Sequence, residues 1–323
     1  MKSAKYIVWA VCVLCALVVC APASFAAEKS ADASGAHRKR AKKPSEASKP
    51  CDACELFRLG VRYGKGDGVP KDEQKAATVY RQAADLGLNC AQYNLGWCYE
   101  TGTGVPKDEH EAAAWYRKAA DQGLADAQNN LGRCYAYGIG LPEDMVEAAV
   151  WYRKAADQGH AVAQDNLGWC YYSGAGVAKD EREAAVWFRK AADQGNPIAQ
   201  FNLGVCYAHG NGVPKDQREA AAWYRKAAEQ GNATAQYNLG FRYYYGQGVS
   251  KDYREAAQWL RKAADQGDAL AQFSLAQLYM DGRGVPKDSD QALFWLNKAQ
   301  ENKIPCNICL YLAKVRAHNM KNL

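Results

Sequence analysis

An all-α solenoid of seven 36-residue helix-turn-helix repeats, closed by a C-terminal cap helix, is the fold this sequence predicts. Three observations carry it. Leu59, Leu95, Leu131, Leu167, Leu203, Leu239 and Leu275 stand 36 residues apart. Each copy holds two stretches with apolar residues at helical spacing, split by a Gly-x-Gly turn. No useful length of chain alternates apolar and polar residues with the period of two that a half-buried strand shows. A lone helix pair cannot bury its apolar stripe, whereas a stack of them can.

The chain begins with Lys2 and Lys5, an apolar run from Tyr6 to Cys20, and the exit Ala-Pro-Ala-Ser-Phe-Ala-Ala. These are the three parts of a secretory signal peptide, assigned to residues 1–26 with cleavage after Ala26, or after Ala23 as the alternative. Fifteen helical residues rise about 22 Å, short of the roughly 30 Å of a hydrocarbon core. A rival reading is a lipoprotein, because Leu17-Val18-Val19-Cys20 has the outline of a lipid-attachment box. Membrane contact is expected only through an uncleaved signal or a lipid on Cys20.

Residues 27–50 read as a disordered linker: Ala, Ser, Lys and Pro without aromatic or large aliphatic side chains. They include His37-Arg38-Lys39-Arg40-Ala41-Lys42-Lys43. In isolation that run resembles a nuclear-import or nucleic-acid patch. Behind a signal peptide it reads as a solvated tether able to lean on anionic lipid or cell-wall polymer. Residues 1–50 hold 9 basic and 3 acidic side chains, and 51–323 hold 32 of each. The body lacks the basic excess that nucleic-acid binding demands, so no nucleic-acid partner is expected.

The solenoid spans 51–302. Within the second copy the first helix is expected from Cys90 to Glu100, with Ala91, Leu95 and Tyr99 on one face. Gly102-Thr103-Gly104 breaks it. The second helix starts at Asp108, which with Glu111 fits an acidic capping box, as do Asp144 with Glu147 and Asp180 with Glu183. Ala112, Trp115 and Ala119 form its buried stripe and Gly123 ends it. Pairs such as Arg117-Lys118 are expected to be solvated at the favourable end of the helix dipole. Residues 303–323, with Leu310, Leu312, Val315 and Arg316, read as an eighth first helix that caps the stack.

The run Ala-Gln-Tyr-Asn-Leu-Gly-Trp-Cys-Tyr, then Gly-x-Gly-Val-Pro-Lys-Asp, then Glu-Ala-Ala-x-Trp-Tyr-Arg-Lys-Ala-Ala-Asp-Gln-Gly resembles the Sel1-like repeat family over about 55–300. The resemblance implies a right-handed superhelix related to tetratricopeptide repeats. It also implies a protein–protein adaptor more readily than an enzyme. Three slots of the first helix would then line the concave face, two before, two after and five after the repeat Leu. Where copies differ at these slots they carry Tyr93, Trp97, Arg133, Trp169, Tyr172, Phe201, Tyr237, Phe241 and Tyr244. Aromatic residues of this kind are enriched at binding hot spots, so the expected partner is a protein or peptide, with Arg133 placed to meet a carboxylate. The bland alternative is that these rings pack on neighbouring repeats.

Cys12, Cys15 and Cys20 fall in the signal, leaving nine cysteines. Cys98, Cys134, Cys170 and Cys206 share one slot; stacked helices about 8–10 Å apart hold such residues too far apart for a disulfide, so buried thiols are expected. Cys51-x-x-Cys54 and Cys306-x-x-Cys309 bracket the solenoid as candidate terminal disulfides, with Cys90 near the first pair. A cysteine-rich branch of the family, linked to penicillin binding and hydrolysis, has its cysteines at slots held here by Ala84 and Gln92, so its stapled scaffold does not carry over. Ser-x-x-Lys, G-x-S-x-G, H-E-x-x-H and a phosphate-binding glycine loop are all absent. No cofactor, metal or catalytic residue is predicted. The alternative function is binding or hydrolysis of β-lactams or cell-wall peptides, and cell-wall components stay open as partners.

Overall fold

The structure is a computed structural model that describes residues 52–302. The signal-like segment, the basic linker, Cys51, Cys306, Cys309 and the expected cap helix lie outside the described residues. Fourteen helices follow one another. The first helices of the repeats are α1 (Asp52–Lys65), α3 (Asn89–Thr101), α5 (Ala125–Tyr137), α7 (Ala161–Ser173), α9 (Pro197–His209), α11 (Ala233–Tyr245) and α13 (Ala269–Asp281). The second helices are α2 (Glu73–Asp85), α4 (Glu109–Asp121), α6 (Met145–Asp157), α8 (Glu181–Asp193), α10 (Gln217–Glu229), α12 (Tyr253–Asp265) and α14 (Ser289–Glu301). The main contacts of each helix are with the helices before and after it, as in a superhelical solenoid. No strand occurs among the described residues.

Each second helix starts where its Asp stands. The Asp108 carboxylate accepts from the amides of His110 and Glu111, and the pattern repeats at Asp144, Asp180, Asp216, Asp252 and Asp288. The reciprocal half of the expected capping box does not form: in every copy, from Asp72 to Asp288, the cap N–H donates to the carbonyl of the repeat Tyr nine residues earlier. Glu111 and Glu255 accept instead from the indole N–H of Trp115 and Trp259, one turn onward, at 3.1 Å. The cap amide does not need the Glu, because the Asp108 N–H donates to the Tyr99 carbonyl at 2.9 Å and the Asp252 N–H to the Tyr243 carbonyl at 3.0 Å.

The core is built of small residues against a few large ones. Ala112, Tyr116, Ala119, Ala127, Leu131 and Cys134 pack with Trp151 of the following repeat, so each layer is closed by its neighbour. A glycine makes this closeness reachable. A Cβ at Gly96 would lie 2.8 Å from the ring of Tyr116, and at Gly168 2.7 Å from Phe188. At the turn, Gly104 has φ +72° and rests on the Glu73 backbone of the preceding repeat, where any side chain would collide.

Two polar ladders tie the layers. Buried Gln128 donates to the Ala120 carbonyl at 3.1 Å and accepts from Gln158 at 2.7 Å, an arrangement found in successive copies. The arginines expected to be solvated form the second ladder. Arg81, Arg117, Arg153, Arg189, Arg225 and Arg261 reach the phenol oxygens of Tyr99, Tyr135, Tyr171, Tyr207, Tyr243 and Tyr279 in the next repeat. The Arg117 guanidinium also lies 5.4 Å from the Tyr135 ring centre. A delocalised, weakly hydrated cation gains more on an aromatic face than in bulk water.

Gly168→Ala is expected to lower unfolding stability by about 1–3 kcal/mol through overpacking against Phe188. Adding Phe188→Leu should recover part of the loss, because the seventh copy pairs Ala276 with Leu296. Urea unfolding followed by circular dichroism reads both effects.

Candidate functional site

On a helix, residues four apart share a face. The slots two before and two after each repeat Leu therefore run side by side along α1 to α13, and the variable side chains meet there. In the first of these slots Phe57, Tyr93 and Phe201 lie over Tyr80, Tyr116 and Tyr224 at 5.7–5.8 Å between ring centres. They are half-buried. These three rings are thus partly spent on packing. Burial pushes the Tyr93 phenol up to about 12.

The second slot is more open. Trp169 is 51% exposed and Phe241 38%. Trp97 is half-buried against the core of the first two repeats. Arg133 is committed inside the chain: its guanidinium pairs with Glu100, whose other oxygen accepts from the Tyr116 hydroxyl at 2.7 Å. The carboxylate expected from a partner is supplied by the preceding repeat. In the third slot the Tyr172 hydroxyl accepts from Asn211 at 3.0 Å and the Tyr244 hydroxyl from Arg283 at 2.8 Å. Both donors sit in the Gly-x-Gly turn of the following repeat.

The middle of the face is polar. Asn166 donates to Asn129 at 3.0 Å, and Asn202 donates to Asp165 at 2.9 Å. Asp165 is buried, and burial pushes its carboxyl up to about 7 against the opposing hydrogen bond from Asn202. Toward the C-terminal end the face turns aromatic. Tyr237, Phe241, Tyr245, Tyr244 and Tyr253 form a continuous chain of rings, with successive centres 6.4, 4.5, 4.7 and 5.2 Å apart. Tyr245 is 56% exposed. The slot pattern does not contain Tyr245 or Tyr253. Tyr253 is the odd member of a series otherwise filled by Glu73, Glu109, Met145, Glu181, Gln217 and Ser289, and that break is the signal for it.

The thiols are not poised for chemistry. Burial pushes Cys98 and Cys134 up to about 12 and Cys170 and Cys206 up to about 11, so the nucleophilic thiolate is scarce at neutral pH. These four form no disulfide, as the slot spacing predicts. Cys90 is disulfide-bonded. Cys54 is half-buried in α1. Among the described residues no cluster of His, Cys, Asp and Glu could hold a metal ion, and no helix is long and apolar enough to cross a membrane.

The family description Sel1 repeat matches residues 56–88, 91–124, 125–160, 161–196, 197–232, 233–268 and 269–302. Among solved structures, the chain is similar to c5321, described as a protective antigen present in uropathogenic Escherichia coli strains and displaying an SLR fold. The identity is 37%, the TM-score 0.74, and the match covers 82% of this chain and 57% of that one. A Sel1 repeat protein from Oxalobacter formigenes is 35% identical with a TM-score of 0.69, covering 81% of this chain and 76% of that one. No curated protein matches the chain. The chain belongs to the Sel1 repeat family, and it spans little more than half the length of the E. coli antigen.

Asp165 gives the face a pH dependence with a fixed sign. Its folded pKa lies above the unfolded carboxylate value, so the folded state holds the proton more tightly. Its contribution is fully present below about pH 4 and is lost as pH rises to about 7. Asp165→Asn, which copies Asn129, should match the parent near pH 4. Near pH 8 it should exceed the parent by about 2–4 kcal/mol, read by urea unfolding at the two pH values.

Proposed function

We propose that this Sel1 repeat protein is an exported adaptor that holds an extended polypeptide segment across the concave face made by its first helices. The observation that carries the reading is the contrast between slots. The framework residues repeat almost unchanged, while the slots on this face change from copy to copy and leave Trp169 and Phe241 in solvent, with Tyr245 exposed beside Phe241. Large exposed rings cost solubility and gain contact area at low conformational entropy, which is the chemistry of a binding surface. The half-buried rings of Tyr93 and Phe201 supply a firm floor, and the amides of Asn129 and Asn166 supply polar points among them. Export rests on the basic start, apolar run and small-residue exit of residues 1–26.

The test uses Trp169 and Phe241, since Trp97 also supports the core. Trp169→Ala/Phe241→Ala should fold with a melting temperature within a few degrees of the parent. Cross-linking capture in the producing cell should lose the partners that the parent retains. A folded double variant that captures the same partners as the parent sinks the reading.

A further inference from the structure

Toward the C-terminal end of the same face, Arg242 and Lys251 have no carboxylate partner among the described residues. In the second and third repeats a guanidinium under the face, Arg133, is matched by Glu100. In the sixth repeat Arg242 takes the slot that Cys98, Cys134, Cys170 and Cys206 fill elsewhere. It is 6% exposed, lies 5.0 Å from the Tyr224 ring centre, and donates to the Gln217 amide oxygen at 2.6 Å. No carboxylate of the described residues pairs with it.

Lys251 repeats the pattern. Of its counterparts, Lys71, Lys107 and Lys179 pair with Glu73, Glu109 and Glu181 at 2.8–2.9 Å, while Lys215 and Lys287 are followed by Gln217 and Ser289 in place of the acid. Here Tyr253 replaces the acid, and the ammonium lies 4.8 Å from its ring centre. Arg283 joins from the next turn, 5.7 Å from the same ring, its charge shared only with Asp281 at 3.4 Å. Asp252 is occupied as the cap of α12. Charges of one sign gathered beside an apolar surface attract the opposite sign.

We propose that this end of the face binds an acidic polypeptide segment in which aromatic or aliphatic residues alternate with Asp and Glu. The proposal rests on the adaptor reading and names the chemistry of its partner. Phe241 and Tyr245 receive the apolar side chains, and Lys251 and Arg283 receive the carboxylates. The chain's own outlying segments do not suit this end. Residues 1–50 hold 9 basic and 3 acidic side chains, and 303–323 hold 4 basic and none acidic, so like charge sets both against it. The segment proposed here belongs to another molecule.

The test is selection from a random 12-residue peptide library displayed on phage, with the full chain immobilised. Enrichment of peptides joining Asp or Glu to Phe, Leu or Trp is expected. A Glu→Gln copy of a selected peptide should bind about tenfold more weakly. Lys251→Glu/Arg283→Glu, at two exposed positions, should fold and lose the acidic preference. Selected peptides that are neutral or basic, or an unchanged preference in the variant, overturn the acidic assignment and leave the polypeptide reading standing. No enrichment of any sequence overturns both.

Discussion

The face on which the copies differ depends on one close approach, in the first five copies the ring of the second helix seated on the glycine of the first, with Leu260 on Gly240 in the sixth. Tyr116 lies where a Cβ on Gly96 would be, and Tyr152, Phe188 and Tyr224 repeat the contact at Gly132, Gly168 and Gly204. The glycine follows the buried repeat Leu, so the two helices are drawn together at the centre of the layer. The ring that fills the glycine's space then presents its other side to the slot two before the Leu. Tyr93 and Phe201 stack there because that ring is held still. A rigid floor reduces the ordering cost of binding, which is how packing inside a layer becomes a property of its surface.

The repeat itself was plain in the sequence because its determinants are local and periodic. Asp caps, Gly-x-Gly turns, the repeat Leu and the Trp series each need only a residue type at a fixed position, and seven copies average out the noise. The observed Asn89–Thr101 and Glu109–Asp121 lie within a residue or so of the expected bounds. Contacts between copies were not legible in the same way. Arg117 looks like an ordinary helix-end cation until Tyr135 of the next repeat is brought beneath it. Glu111 looks like half of a capping box until the Tyr99 carbonyl is seen to take the Asp108 amide, which leaves the Glu to Trp115 one turn later.

The same distinction governs the candidate site. Trp169 and Phe241 were identifiable as exposed because nothing in the repeat grammar requires a large ring two residues after the Leu. Arg133 was misjudged because its partner, Glu100, lies 33 residues earlier in another copy. Asp165 shares a slot with aromatic residues and with Asn129, and only the structure shows it buried beside Asn202 with its carboxyl pushed to about 7. Sequence slots say which residues share a face. They do not say which of them satisfy one another.

Arg133 and Arg242 show why that difference bears on function. Both guanidiniums lie under the variable face, and burying either one costs hydration. For Arg133 the cost is offset within the chain, since Glu100 and the Tyr116 hydroxyl complete a closed network that leaves little charge to offer. Arg242 has an amide oxygen and a ring face, neither of which carries a full negative charge. Two substitutions nearby move the local balance in the same direction, Gln217 and Tyr253 standing where Glu occupies other copies. Lys251 itself belongs to the repeat framework, since Lys215 and Lys287 are also kept where Gln217 and Ser289 stand in place of the acid. Lys251 keeps its charge although its acid is gone, and Arg283 adds another beside it. The described solenoid as a whole leans the other way, with 28 basic and 32 acidic side chains over 51–302. Arg242 and Lys251 without a carboxylate, beside the longest chain of ring contacts among the described residues, suit the acidic, aromatic segment proposed for this end.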